Sequence, residues 1–157
     1  MSKIAITKQG YEKLEQEHKK MKFEDRPAII EAIAEARSHG DLKENAEYHA
    51  AKEKQSFIEG RIQELENIIA NAEIIDVSKL SGERIVFGAI VELIDDETEE
   101  KKKYQIVSEY EADITNHKIS VTSPIAHGLI GKEEGDIVTI QTPGGKRKYE
   151  ITKVSYK

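Results

Sequence analysis

No cysteine occurs among the 157 residues, which excludes disulfides and thiolate-ligated metal sites and fits a reducing cytoplasm. Long apolar runs are also missing. The longest unbroken stretches are a few residues, far short of the roughly 20 needed to cross a bilayer as a helix. The opening MSKIAITKQGYEKLEQEHKK has no apolar core of about 7 to 15 residues and does not read as a secretory signal. A basic excess is lacking too: residues 1–75 and 76–157 each carry 12 basic and 15 acidic residues, an even share of the net charge of −6. Autonomous nucleic-acid binders gain most of their affinity by neutralising phosphates, so direct duplex binding is disfavoured. With 38% hydrophobic and 34% charged residues, the chain is expected to be soluble and to form one ordinary domain or two small ones.

What is present divides near Ile75–Asp76. In the first half, Tyr48, Ala51, Gln55, Ile58, Ile62, Leu65, Ile69 and Ala72 recur at spacings of 3 and 4 for about three and a half heptads. A weaker stripe of Tyr11, Leu14, His18 and Met21 precedes it and restarts after EDRP as Ile29, Ile33 and Ala36, one residue out of phase. Pro27 accounts for that break, because its ring forbids a normal interior helical hydrogen bond; the helix kinks there or begins again with Pro27 in its first turn. A connection as short as Ser38–Asp41 makes the two arms antiparallel. Each arm spans about 30 residues, or roughly 45 Å at about 1.5 Å per residue. Gly60 inside the second arm costs about 1 kcal/mol relative to alanine and is read as tolerated.

The second half alternates with period two. RIVFGAIVELID (84–95), KKYQIVSE (102–109), KISVTS (118–123), DIVTIQT (136–142) and KRKYEITKVSY (146–156) read as strands separated by turn residues. TPGGK (142–146) signals a hairpin, DDETEEKKK (95–103) a solvated hairpin tip, and SPIAHGLIG a short helix with Ser123 as cap and Gly131 as stop. Phe87, Tyr104 and Tyr149 read as sheet core. The expected fold class is α+β: an N-terminal antiparallel coiled-coil hairpin (1–75) and a small antiparallel-sheet domain with a short helix (76–157).

The chemistry-bearing stretch is ARSHGDLKENAEYHAAK, residues 36 to 52. Two readings fit its Asp41 and Glu44. As a structural feature, Asp41-Leu-Lys-Glu44 matches a capping box starting the second helix, with Gly40 closing the first in a left-handed conformation. As a site, carboxylates at i and i+3 share a helix face and jointly reach one hard cation. Mg²⁺ keeps several waters and needs further oxygen ligands, so such a pair completes a site only with a partner's help. Tyr48 falls on the seam, where packing is its role. His39 and His49 flank the pair, which needs no imidazole.

This stretch resembles the tip and second helix of bacterial GreA-type transcript cleavage factors. The likeness runs on through FGAIVEL, ISVTSPIAHGLIGKEEGD and TPGGKRKYEI, covering essentially the whole chain. It implies that the second domain resembles FK506-binding proteins, without implying prolyl isomerase activity. It also implies an accessory factor, not an enzyme. Such a factor would bind bacterial RNA polymerase as a single copy, insert the coiled coil through the secondary channel, and help polymerase cleave backtracked nascent RNA. The match places Asp41 and Glu44 as the acidic pair that holds a second Mg²⁺ jointly with polymerase, with no metal bound tightly by the isolated protein. Arg37, Lys43 and Lys52 would contact RNA or channel walls, and Ser123, Pro124 and Ile125 would dock on polymerase. No membrane partner is implied, and the location would be cytoplasmic. The scattered basic residues favour the GreA type over the more basic GreB type.

Overall fold

A computed structural model describes residues 3–40 and 42–156. By compactness the chain forms two units: Tyr11–Ala72 makes up the body of the first, and Ile4–Gly10 joins Glu73–Lys157 in the second.

The first unit is a helical hairpin. Strand β1 (Ile4–Thr7), itself part of the second unit, leads directly into α1 (Lys8–Lys20), followed by a π turn (Met21–Asp25), α2 (Arg26–Arg37) and α3 (Ala46–Asn71). Leu14, Met21, Ile29 and Ala36 are buried on one arm, and Ile58, Ile62, Leu65 and Ile68 on the other. Cross-arm contacts show the antiparallel sense. Glu17 meets Arg61, Arg26 meets Glu59 and Ala36 meets Asn45, so the partner's number falls as the first rises. Two of these contacts are two-pronged guanidinium–carboxylate forks: Arg26 donates from Nε and Nη2 to Glu59, both at 2.8 Å, and Arg61 to Glu17 at 2.7 and 3.0 Å. The Arg26 fork also holds the Glu59 carboxyl below its ordinary range.

Pro27 falls in the first turn of α2, as expected, but no cap or break separates α2 from the turn before it. Asp25 and Arg26 keep right-handed helical angles, no side chain caps the junction, and the Arg26 N–H donates to the Met21 carbonyl across five residues. A π turn absorbs one extra residue into a continuous helix. That is the physical content of the phase slip: Met21 and Ile29 are both buried although eight residues apart.

Two expectations for the hairpin are corrected. The connection runs from Ser38 to Asn45, longer than Ser38–Asp41, since α2 ends at Arg37 and α3 begins at Ala46. The second helix also stops before the heptad pattern does. Ala72 turns to φ −69° and ψ 134° and opens β2 (Ala72–Ile75), which pairs with β1 in a two-stranded sheet. Near that end Ile68 is buried and Ile69 half-buried, so adjacent isoleucines widen the apolar stripe.

The second unit holds a five-stranded sheet in the order β5-β4-β3-β7-β6: β3 is Ile90–Asp95, β4 Lys101–Val107, β5 Lys118–Ser120, β6 Ile137–Thr142 and β7 Gly145–Ser155. Every pairing is antiparallel except β4 with β5, which is parallel. The β6–β7 hairpin turns at TPGG with Gly145 at φ 110°. The run from Arg84 forms a strand only from Ile90; its first part makes an isolated bridge to Glu133 and then a turn at Phe87–Gly88. Phe87 is accordingly half-buried outside the core, whereas Tyr149 lies within it and Tyr104 packs against it. Helix α4 (Pro124–Leu129) packs on β6 and β5, burying Ala126 and Leu129. Among the described residues no helix is long and apolar enough to cross a membrane.

Candidate functional site at the hairpin tip

The tip is built where two helix ends must satisfy their orphan backbone groups. At the end of α2 the Ser38 N–H and hydroxyl both donate to the Glu35 carbonyl, at 3.1 and 2.6 Å, and the His39 N–H donates to Ala36 at 3.1 Å. Gly40 then takes φ 134°, a conformation side chains rarely adopt, as the chain leaves the helix. Asp41 lies outside the described residues. Leu42, Lys43 and Glu44 form an exposed turn, and α3 starts behind Asn45.

Asn45 is the cap that the sequence pattern assigned to Asp41. Its extended backbone (φ −83°, ψ 95°) places Oδ1 to accept the Tyr48 N–H at 3.0 Å. The amide's other end, Nδ2, donates to the Ala36 carbonyl in the last turn of α2 at 2.6 Å. One half-buried side chain thus starts one helix and ties it to the end of the other. His49 adds a second tie, with Nε2 donating to the Lys43 carbonyl at 3.2 Å, and its ring meets that of Tyr48 edge-on at 5.4 Å.

Glu44 therefore lies before the helix and not on its face, which corrects the i and i+3 helical geometry. Its exposed carboxylate borders an open depression shared with His39, Asn45, Ala46 and Glu47. Glu47 occupies the first turn of α3, where the helix dipole favours negative charge. Oxygen donors with access to solvent suit a hard cation such as Mg²⁺. Among the described residues no three His, Cys, Asp or Glu side chains are grouped to hold an ion.

The other sequence candidates fall into two places. Arg37 ends α2, Lys43 is in the turn, and Lys52 lies on α3 with Nζ donating to Gln55 at 3.3 Å; all three are exposed. Ser123, Pro124 and Ile125 belong to the second unit. Ser123 Oγ caps α4 by accepting the Ala126 N–H at 3.2 Å, Pro124 is exposed, and Ile125 is half-buried against the core. Asn45 was hidden in the sequence because Tyr48 stands three residues on, where a capping box wants Glu or Gln. Asp41 and Glu44 fit that pattern better.

The family model described as the N-terminal part of transcription elongation factors matches residues 4–74. The C-terminal model of the GreA/GreB transcription elongation factors matches residues 80–156. The chain belongs to the GreA/GreB family of transcription elongation factors. It is 60% identical over 156 residues to transcription elongation factor GreA of Phenylobacterium zucineum (strain HLK1), covering 99% of each chain. It is 62% identical over 157 residues to that of Halorhodospira halophila (strain DSM 244 / SL1), again covering 99% of each. Among solved structures, the GreA factor homolog 1 (Gfh1) protein of Thermus thermophilus is similar at 34% identity, with 97% of this chain and 98% of that one covered and a TM-score of 0.45.

Proposed function

We propose that this member of the family binds bacterial RNA polymerase, inserts the helical hairpin into its secondary channel, and stimulates polymerase's own cleavage of backtracked RNA 3′ ends. The observation that carries this reading is the separation of cap from carboxylate. Asn45 starts α3, so Glu44 has no capping duty and stands exposed at the tip. An exposed acid whose carboxylate makes no hydrogen bond or ion pair among the described residues, on a turn tied at both feet, is suited to working on something brought to it.

Asp41 and Glu44 would hold a Mg²⁺ jointly with polymerase, whose side supplies the remaining ligands. Bound there, the ion would stabilise charge on the reacting phosphate and make an attacking water more acidic. The chain's own contribution is to carry Glu44 at the tip of a helical hairpin, between a Lys43 carbonyl held by His49 and an Asn45 held by Tyr48 and Ala36. Arg37, Lys43 and Lys52 would meet RNA phosphates or channel walls, and the surface around Ser123, Pro124 and Ile125 would dock on polymerase.

The test uses a stalled, backtracked elongation complex with end-labelled transcript and Mg²⁺. Asp41→Asn and Glu44→Gln are expected to bind polymerase and melt like wild type while losing cleavage by about a hundredfold or more, the scale of removing an electrostatic stabiliser. Equal cleavage by wild type and both variants would sink the reading.

A further inference from the structure

We propose that Asn45 is a positioning residue for the Glu44 carboxylate, acting through the bridge its amide builds between the two arms. The inference rests on the cleavage reading above. Starting α3 requires only an acceptor, which Asp or Ser supplies as well as Asn. Joining α3 to α2 requires a donor on the same short planar group. Asn provides both, whereas an ionised Asp has no donor. The bridge lands on the Ala36 carbonyl, which also receives the His39 N–H at 3.1 Å, so the end of α2 and the start of α3 converge on one acceptor.

Glu44 sits between two such anchors. On one side the Lys43 carbonyl is held by His49 Nε2; on the other Asn45 is held by both Tyr48 and Ala36. Every one of these bonds lies within one turn of α2 or α3, so the orientation of the Glu44 backbone follows the helices. A site whose supporting contacts are loosened loses its geometry before it loses its residues, and a misplacement of about 1 Å can cost about a hundredfold in rate.

Asn45→Ser and Asn45→Asp separate the two duties, since both retain an acceptor for the Tyr48 N–H. Cleavage by the stalled polymerase complex is measured against factor concentration and against Mg²⁺, with helix content and melting recorded for each variant. Both variants are expected to keep wild-type helix content and half-saturate polymerase at the wild-type concentration. At saturation their rate is expected to fall about ten- to a hundredfold, with Asn45→Ser needing more Mg²⁺ for half-maximal rate. Wild-type rates and Mg²⁺ dependence in either folded variant would overturn the proposal, as would a change confined to polymerase affinity. Should Asn45→Ser lose helix content, Asn45→Asp alone decides by its rate. Failure of the wild-type chain to stimulate cleavage at all would instead strike the parent reading.

Discussion

Asp95 shows how one side chain organises a turn in the second unit. It closes β3 and is almost fully buried, at 2% exposure. Its Oδ1 accepts the N–H groups of Glu97 and Thr98 at 2.8 and 3.1 Å, and its Oδ2 accepts from Arg147 Nη1 at 3.0 Å. The two backbone donors first, and then the guanidinium, hold its carboxyl below the ordinary aspartate range. A carboxyl depressed in the folded state stabilises the fold at every pH above its unfolded value, and that contribution is lost as pH falls through the folded value. Asp95→Asn cannot ionise, and with its one acceptor oxygen kept on the two backbone N–H groups it turns an NH2 donor toward Arg147. Thermal melts should therefore show a lower midpoint for the variant at neutral pH and a smaller fall in acid. The two curves should converge once Asp95 is protonated in the wild type. Parallel curves at all pH values would mean that the ionised carboxylate contributes nothing.

At the level of elements, the seam of the hairpin was readable because burial follows a period: Ile58, Ile62 and Leu65 lie where the heptads put them and are buried. The slip at EDRP was readable as a phase error, but its form was not, since a one-residue offset fits a kink, a restart or a π turn equally. Local signals failed where a tertiary contact decides the outcome. Asn45 gains its second bond from Ala36, nine residues back, and no spacing rule along one helix contains that. Strands β1 and β2 have four residues each and are separated by 64 intervening residues, so neither shows a pattern by itself. The π turn makes its own prediction. If stripe phase maintains it, and not the proline, Pro27→Ala should change stability by less than about 1 kcal/mol and retain the turn, because a regular helix would swing Ile29 and Ala36 off the seam by about 100°. Deleting the exposed Phe23 (69% exposure) should convert the turn to regular α-helix at little cost. Amide hydrogen exchange across residues 21–27 distinguishes the two cases; a Pro27→Ala chain with uniform α-helical protection there would assign the turn to the proline.

For the whole molecule, the telling feature is that the first strand belongs with the second unit. Ile4–Gly10 groups with Glu73–Lys157; β1 pairs with β2, and one carboxylate ties the end of β1 to the loop after β4. Glu111, in the loop after β4, accepts the Thr7 N–H at 3.1 Å and the Thr7 hydroxyl, together with the Ser108 N–H at 3.2 Å and hydroxyl at 2.8 Å. Thr7 and Ser108 are buried, so removing the acceptor strands their donors at about 1–3 kcal/mol. Gly10 makes room for it: a Cβ there would lie 2.0 Å from Glu111 Oε1. The two residues are therefore coupled with a sign that can be stated in advance. In the wild-type background Gly10→Ala must push the carboxylate off its donors, and should destabilise the second unit by about 1–3 kcal/mol. In a Glu111→Ala background the obstacle is gone, and the same change should stabilise by up to about 1 kcal/mol, because alanine is the better helix former in α1. Denaturant unfolding of the four proteins in a double-mutant cycle measures this directly. Additive effects would mean that Glu111 and Gly10 do not share the space the structure gives them. A reversal of sign would make this carboxylate a tie between the end of β1 and the loop after β4.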